Sequence, residues 1–446
     1  MTTTKNNEHK KLNFSCEREQ SQVCLNSAEH EKNQGRKVLN VPNLRFPEFK
    51  GEWKYFLIND VCSEFKSGKN IKADSVFECG EYPVYGGNGL RGYTSSYNHE
   101  GSYVLIGRQG ALCGNVRSVY GKTYITEHAI AVAGNEKSNT NFLHYLFLKM
   151  NLGQYSDQSA QPGLAVNKLL KLKVALPIIS EQTKIAKLLS LLDERIATQN
   201  KIIEDLKKLK SAIIEIEYTP NTKTTSHIGN AIEQISKRNK NNAIQNVLSV
   251  SNRQGFIKQS DQFENRNVAS EDTSNYKIVE KNDFAFNPAR INVGSIARLT
   301  TFEKGIISPM YICFRTQENV APEYIDFFFE SKHFYCEIQK RLEGSVRQCL
   351  SFEGLCNIPF SLPSLEMQQR IGKRLFTLGQ KIKTETDLLE LLNKQKQYLL
   401  RQMFITSGGA NIASVSDIVV IYLAGILSCC SKNVTTLKSA ATHLYL

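Results

Sequence analysis

The side chains in this chain that could do chemistry are hydrogen-bond donors suited to planar, acceptor-rich edges. Arg91, Tyr93, Arg108, Gln109, Asn115 and Arg117 fall in one glycine-broken stretch, with Lys122 just beyond. A second set has the same character: Asn252, Arg253, Gln254, Arg290, Asn292, Arg298, Arg347 and Gln348. Arg or Lys on guanine and Asn or Gln on adenine discriminate base edges by about 1–3 kcal/mol per good pair. Any one of these residues reads more readily as a solvated side chain or turn former than as a base contact; as clusters near glycines they are candidates for close approach. Lys69, Lys72, Lys122 and Lys258 are candidates for phosphate contacts, which position without specifying.

Motifs for bond making are missing. Gly87, Gly89 and Gly92 spell G-x-G-x-x-G after a strand pattern, but YTSSYN follows where a phosphate-binding helix would have to begin. That motif reads as a turn. Asn287–Arg290, NPAR, lacks the second Pro and the aromatic of an adenine-methyltransferase site. No P-loop, H-E-x-x-H or G-x-S-x-G occurs. The 11 cysteines show no C-x-x-C, the 8 histidines are dispersed, and His128 reads as packing or bonding locally. No catalytic residue, resident metal or resident cofactor is expected.

Lys and Arg outnumber Asp and Glu by 56 to 43, a formal charge of +13 over 446 residues, and nucleic acid is the commonest partner of such a surplus. An odd cysteine count with no secretory leader pattern points to a reducing cytoplasm. Residues 1–37 are polar and read as disordered, with order expected from Val41–Trp53. Beyond Phe404 an atypical tail, 406–446, holds an uncharged run of 13 residues after Asp417, short of the ~20 a membrane span needs.

What must position the donors is a frame that occurs twice. LPIISEQTKIAKLL from Leu176 recurs as LPSLEMQQRIGKRL from Leu362; Pro177 and Pro363, Ile185 and Ile371, and Lys210 and Lys396 are each separated by 186. Steps of four and three along the first copy visit Ile185, Leu189, Leu192, Ile196, Gln199, Ile203, Leu206, Lys210 and Ile213. The second copy visits Ile371, Leu375, Leu378, Ile382, Glu385, Leu389, Leu392, Lys396 and Leu399. That is a coiled-coil seam with its polar exceptions at matching places. Roughly 33 residues of helix span about 50 Å, and antiparallel packing would relate the copies by a pseudo-twofold axis.

Before each helix lie short apolar runs broken by Gly and Asn, which is strand-and-turn sequence. The second segment parallels the first loosely. Asp283–Ile296 lies beside Tyr103–Val116, IISPMYICF at Ile306 beside YITEHAIAV at Tyr124, and PEYIDFFFE at Pro322 beside NFLHYLFLK. The expected fold is α/β (α+β): two globular domains, 38–175 and 218–361, joined by two long antiparallel coiled-coil helices, 176–217 and 362–405, as a pseudo-twofold internal repeat.

LPxxxEQxxIAxLL leading into a heptad helix, duplicated after two dissimilar globular segments, resembles the specificity subunit of type I restriction-modification systems. VPNLRFPEFKGEW (Val41–Trp53) and QSAQPGLAVNKLLKLKVALP (Gln158–Pro177) resemble that family too. The second copy departs from the pattern at Gly344–Pro363, which lacks the Gln-Pro step, and at Met367, where the first has Glu181. The resemblance implies a non-catalytic reader of double-stranded DNA. Each globular segment would be a target-recognition domain for one half of a bipartite gapped target. The helices would set the gap and dock two methyltransferase subunits, which bind S-adenosylmethionine; restriction/translocase subunits complete the restricting complex, and no membrane is involved. Two other readings stay open: a reader fused to its own methyltransferase or nuclease, and a coiled-coil scaffold for proteins.

Overall fold

The computed structural model describes residues 40–157, 162–219, 226–252, 254–262, 272–344 and 348–405. The expectations for residues 1–37, for the tail 406–446, and for Arg253 and Arg347 lie outside the described residues. The chain forms two compact units, one comprising residues up to Leu192 with those from Gln395 on, the other Asp193–Lys394.

The first unit carries β1 (Lys54–Leu57), β2 (Cys62–Ser67), β3 (Tyr82–Gly86), β4 (Gly89–Thr94), β5 (His99–Gly107), β6 (Val116–Ile125), β7 (Ala129–Gly134), α1 (Thr140–Met150), α2 (Val166–Leu170) and β8 (Lys173–Leu176). Six strands form one sheet in the order β2-β7-β5-β6-β3-β4, and β1 pairs β8. The apolar run of β7 is buried at Ala129–Val132, as a central strand covered on both faces requires. Helix α1 starts where the Asn139 side chain accepts from Phe142 N, and it buries Phe142, Leu143, Leu146 and Phe147. Trp53, 2 % exposed, stands edge-on to Phe142 and Phe404 at 6.0 and 6.4 Å between ring centroids. Leu400, Met403 and Phe404 complete this core, so the end of the second long helix belongs to the first unit.

In chain order the long helix α3 (Ile179–Tyr218) follows β8, and the second unit then carries β9 (Ile232–Ile235), β10 (Val247–Ser251), β11 (Gly255–Lys258), β12 (Lys277–Glu280), β13 (Phe284–Phe286), β14 (Ile296–Arg298), β15 (Lys304–Ile307), β16 (Ile312–Thr316), α4 (Pro322–Phe328), α5 (Lys332–Arg341) and α6 (Phe352–Cys356). Its strands form two sheets, β11-β10-β15-β12 and β14-β13-β16-β9. The connectivity repeats that of the first unit. A parallel pair, Val84↔Tyr124 and Tyr85↔Ile125, returns as Val247↔Ile306 and Leu248↔Ile307. An antiparallel contact, Ile106↔Ile130, returns as Phe286↔Ile312. Where β5 is one strand of 9 residues, its counterpart is broken into β12 and β13 by the turn at Asn282, φ +70°.

The long helices are Ile179–Tyr218, 40 residues, and Leu365–Gln402, 38 residues, about 60 and 57 Å at 1.5 Å per residue. In chain order they are α3 and α7. All twelve aliphatic seam residues named above from Ile185 to Leu206 and Ile371 to Leu392 are buried or half-buried, whereas Leu191, Ile202, Leu209 and Ile216 off the seam are exposed. Within the second unit the helices run antiparallel. Gln199 Nε2 donates to the Glu385 carbonyl at 3.0 Å and to its carboxylate, and Arg374 near the start of α7 pairs with Glu217 near the end of α3. Gln199 and Glu385 are the matching polar exceptions of the two seams, so each meets its own counterpart, as a local twofold between the helices demands. Burial raises the Glu385 carboxyl, but the bonds from Lys381 and Gln199 outweigh it and hold the group below its ordinary value.

Each head is locked to its helix by the same device. The Gln182 amide oxygen accepts from Asn139 N, which caps α1, at 2.9 Å, while its nitrogen donates to Lys137 O and Pro177 O. The Gln368 oxygen accepts from Ala321 N, which caps α4, at 2.9 Å, and its nitrogen donates to Pro363 O. Both glutamines are buried. The neighbouring departure from the repeat also has a cause. Glu181 is 0 % exposed and takes two 2.7 Å bonds from Arg45 and one from Trp53 Nε1, whereas Met367 is exposed. The segment around Arg45 also bonds the end of the second long helix, with Leu44 N donating to Gln402 O at 2.9 Å.

Candidate nucleic-acid interface

In the first head three segments meet at one apex. Thr126 N donates to Tyr85 O and Arg108 N to His128 O. A methyl group on Gly87 would stand 2.6 Å from His128 O and 3.3 Å from Gly107 Cα, so the β3–β4 hairpin closes down on both other segments only because Gly87 has no side chain. The G-x-G-x-x-G string is therefore a hairpin turn, with Gly89 at φ +105°, as the missing helix predicts. The loop between β5 and β6 is bonded at both ends, Gly107 N to Asn115 O and Gly114 N to Gly107 O. It is also tied to the segment before α2 through the isolated Gln109–Gly163 bridge.

This apex gathers the sequence candidates. Arg91 and Arg117 flank the hairpin: methyl groups on Gly86 and Gly89 would come within 2.8 Å of Arg91 Cδ and 3.1 Å of Arg117 Cζ. Arg91, Arg108 and Arg117 have no side-chain hydrogen bond or ion pair among the described residues, and Arg91 and Arg117 are exposed. Gln109 and Asn115 lie on the same loop as Arg108. Tyr93 does not join them; it is half-buried on β4 opposite Pro83, away from the hairpin tip. Lys122 is on β6 with its ammonium 4.8 Å from the Tyr97 ring centre. Lys69 and Lys72 are exposed, and Lys69 N bonds Ile125 O beside the apex. His128 is half-exposed and paired with Glu127 at 3.1 Å.

The second head repeats the arrangement with other side chains. Asn252 and Gln254 are exposed in the β10–β11 hairpin, and Lys258 is exposed at the end of β11. Arg290 is exposed on the loop Asn287–Ser295, closed by Asn287 N to Ser295 O and Ser295 N to Arg290 O, with Asn292 half-buried beside it. Gln348 is exposed, and Leu350 N donates to Pro288 O, which brings its segment against that loop. NPAR is thus the start of a turn, with the Asn287 side chain accepting from Ala289 N.

Arg298 requires a correction. Its side chain is 8 % exposed, donating to Glu323 at 2.5 Å and Asp326 at 3.1 Å, and it also reaches Asn282. It ties β14 to α4 rather than facing solvent, a placement that no local pattern in the sequence distinguishes from its neighbours. Sequence reading also missed Lys237 and Lys240, exposed between β9 and β10; the run SKRNKNN was the available signal. Among the described residues no cluster of His, Cys, Asp and Glu could hold a metal, and no helix is long and apolar enough to cross a membrane.

Two mixed sheet-and-helix heads of like connectivity, each presenting cationic and amide side chains on apposed loops, define a protein with an internally duplicated architecture. The type I restriction modification DNA specificity domain matches twice, at residues 50–208 and 217–394, and the chain belongs to that family. It is 40 % identical over 186 residues to the specificity subunit of the type I restriction enzyme EcoprrI from Escherichia coli; the match spans 39 % of this chain and 45 % of that protein, under half its length. It is 24 % identical over 400 residues to the specificity subunit of the type I restriction enzyme MjaVIII from Methanocaldococcus jannaschii, covering 80 % of this chain and 90 % of that one. The crystal structure of a type I restriction-modification S subunit from M. genitalium has the same fold, with a TM-score of 0.60 and 16 % identity, covering 82 % of this chain and 100 % of that one.

Proposed function

We propose that this chain is the DNA sequence-specificity subunit of a type I restriction-modification complex, without catalysis of its own. The first head reads one half of a gapped duplex target through Arg91, Arg108, Gln109, Asn115 and Arg117. The second reads the other half through Asn252, Gln254, Arg290, Asn292 and Gln348. Helices α3 and α7 set the unread interval and dock the methyltransferase subunits, which supply S-adenosylmethionine. The observation that carries this reading is the repeated apex: one connectivity, used twice, with differing donors on equivalent loops. Two readers of unlike sequence on one frame require that combination, while a protein scaffold does not require unpaired guanidinium groups. The test is an adenine-methylation map of cells carrying the chain with its co-encoded methyltransferase subunit, against cells lacking the chain. A chain-dependent motif of two parts separated by unread bases is the expected result; a continuous motif, or none, refutes it.

A further inference from the structure

One element of the apex has so far no role, the turn that follows β6 in the first head and β15 in the second. It is the same turn twice. Ala129 N bonds Thr126 O at 3.0 Å, and Tyr311 N bonds Ser308 O at 3.1 Å. Each turn leaves a strand paired in parallel with the first strand of the adjacent hairpin, and each enters the strand that runs beside the third loop. Glu127 and His128 therefore occupy the places of Pro309 and Met310.

The two versions differ in chemistry. Glu127 Oε1 meets His128 Nε2 at 3.1 Å, but Oε2 is shielded from solvent and has no hydrogen-bond partner among the described residues. That oxygen is not reachable from outside as it stands, but leaving it without a donor is costly. The Glu127 side chain is 35 % exposed, so the carboxylate gains by turning outward to meet a donor at the apex. Arg91, Arg108 and Arg117 stand around the same apex, yet none bonds it. On a surface meant for a polyanion, a carboxylate also works against general affinity. What it provides is discrimination: it accepts from an exocyclic amino group and repels the carbonyl and ring-nitrogen acceptors that guanine presents and the carbonyl of thymine. In the second head the same place is apolar and outward, with Met310 60 % exposed and Pro309 exposed beside it. An outward thioether side chain suits the thymine methyl group and offers nothing to an amino group.

We infer that this turn is a specificity-determining position in both heads: Glu127 accepts from the exocyclic amino group of cytosine or adenine in one half-site, and Met310 makes apolar contact with a thymine methyl in the other. This rests on the proposed DNA-reading function and adds residues to it. The carboxylate should dictate one base of its half-site, and the methionine one base of the other.

The experiment uses the full chain co-expressed with its methyltransferase subunit, as wild type, E127Q, M310Q and E136Q, each scored by methylation mapping and by competition among duplexes bearing single changes in each half-site. Glu136 is exposed beyond the far end of β7 and serves as the charge control. E127Q keeps the shape and the acceptor but adds a donor. It is expected to lower discrimination about 5–150-fold at one position of the first half-site, where the wild type requires C or A, and to leave the second half-site and the gap unchanged. M310Q is expected to relax one thymine of the second half-site only, and E136Q to change nothing. The wild-type motif decides between cytosine and adenine. If E127Q leaves every position of a two-part wild-type motif intact, the turn is not a reader although the chain is; if the wild type has no two-part motif, the underlying function fails instead.

Discussion

Removing Arg45 should damage the first unit far more than removing the glutamate it holds. Glu181 is fully buried, and two of its donors come from Arg45, whose own side chain remains 16 % exposed. Replacing Arg45 by Met strands a carboxylate with only Trp53 Nε1, at 3.4 Å, to bond it. A buried charge stripped of its partner costs about 3–5 kcal/mol. Replacing Glu181 by Met, the residue the second copy carries at its equivalent place, leaves a guanidinium that already donates to Gly51 O at 2.6 Å and can turn toward water. That change should cost only about 1–3 kcal/mol, chiefly the unbonded indole N–H. The double variant R45M/E181M should be no worse than E181M, so the pair couples by roughly 3 kcal/mol or more. The chain has 1 Trp, and it sits in this site, so urea unfolding followed by Trp53 fluorescence reports the first unit directly. With a slope of about 2–3 kcal/mol per molar, R45M should lower the midpoint by ~1–2 M. Equal losses for the two single variants, adding in the double, would refute the argument that the stranded carboxylate is what matters.

Two further outcomes are expected. Arg290→Ala should lower discrimination in the second half-site about 5–150-fold, whereas Arg298→Ala should leave the recognised sequence unchanged and destabilise the second unit by about 3 kcal/mol, because it breaks the partly buried bonds to Glu323 and Asp326; competition binding with variant duplexes and thermal unfolding separate the two. Burial pushes the Cys62 and Cys313 thiols up to about 12, so at pH 8 each is almost wholly in the unreactive thiol form, while Cys79 and Cys336 are exposed; mass-spectrometric mapping of iodoacetamide labelling should find Cys79 and Cys336 modified in the native chain and Cys62 and Cys313 modified only in denaturant.

The long helices were legible because their periodicity needs nothing beyond the chain itself. A seam of aliphatic residues at steps of four and three identifies the covered face, and the separation of 186 identified Gln199 and Glu385 as counterparts before their contact was visible. The parallel between Tyr124–Val132 and Ile306–Phe314 was legible for the same reason, since both are β-rich runs around a short polar or proline turn. What the sequence could not disclose depends on what lies opposite in space. Arg298 and Arg290 look alike in sequence; one is buried against the half-buried Glu323 and Asp326 on α4 and the other faces solvent. Nothing in the sequence marks Glu181 as the partner of Arg45 and Trp53, or Glu127 as a carboxylate with an oxygen left unbonded among the described residues.

The two joints explain why the copies keep their helices alike while their heads diverge. Gln182 and Gln368 do not grip side chains of their heads. They accept from the backbone N–H of the residue that caps α1 or α4 and donate to backbone carbonyls, including that of the proline five residues before each glutamine. Backbone groups are present whatever the side chain, so Asn139 in one head and Ala321 in the other are held by the same bond at the same length. A joint of that kind constrains the helix start to Pro and Gln and constrains the head only to begin a helix there. The apex loops lie at the other ends of the strands, where no such demand reaches, and there the Glu127–His128 turn of one head becomes Pro309–Met310 in the other without cost to the frame. Sequence identity between the copies therefore concentrates where a head meets its helix and fades where it would meet DNA.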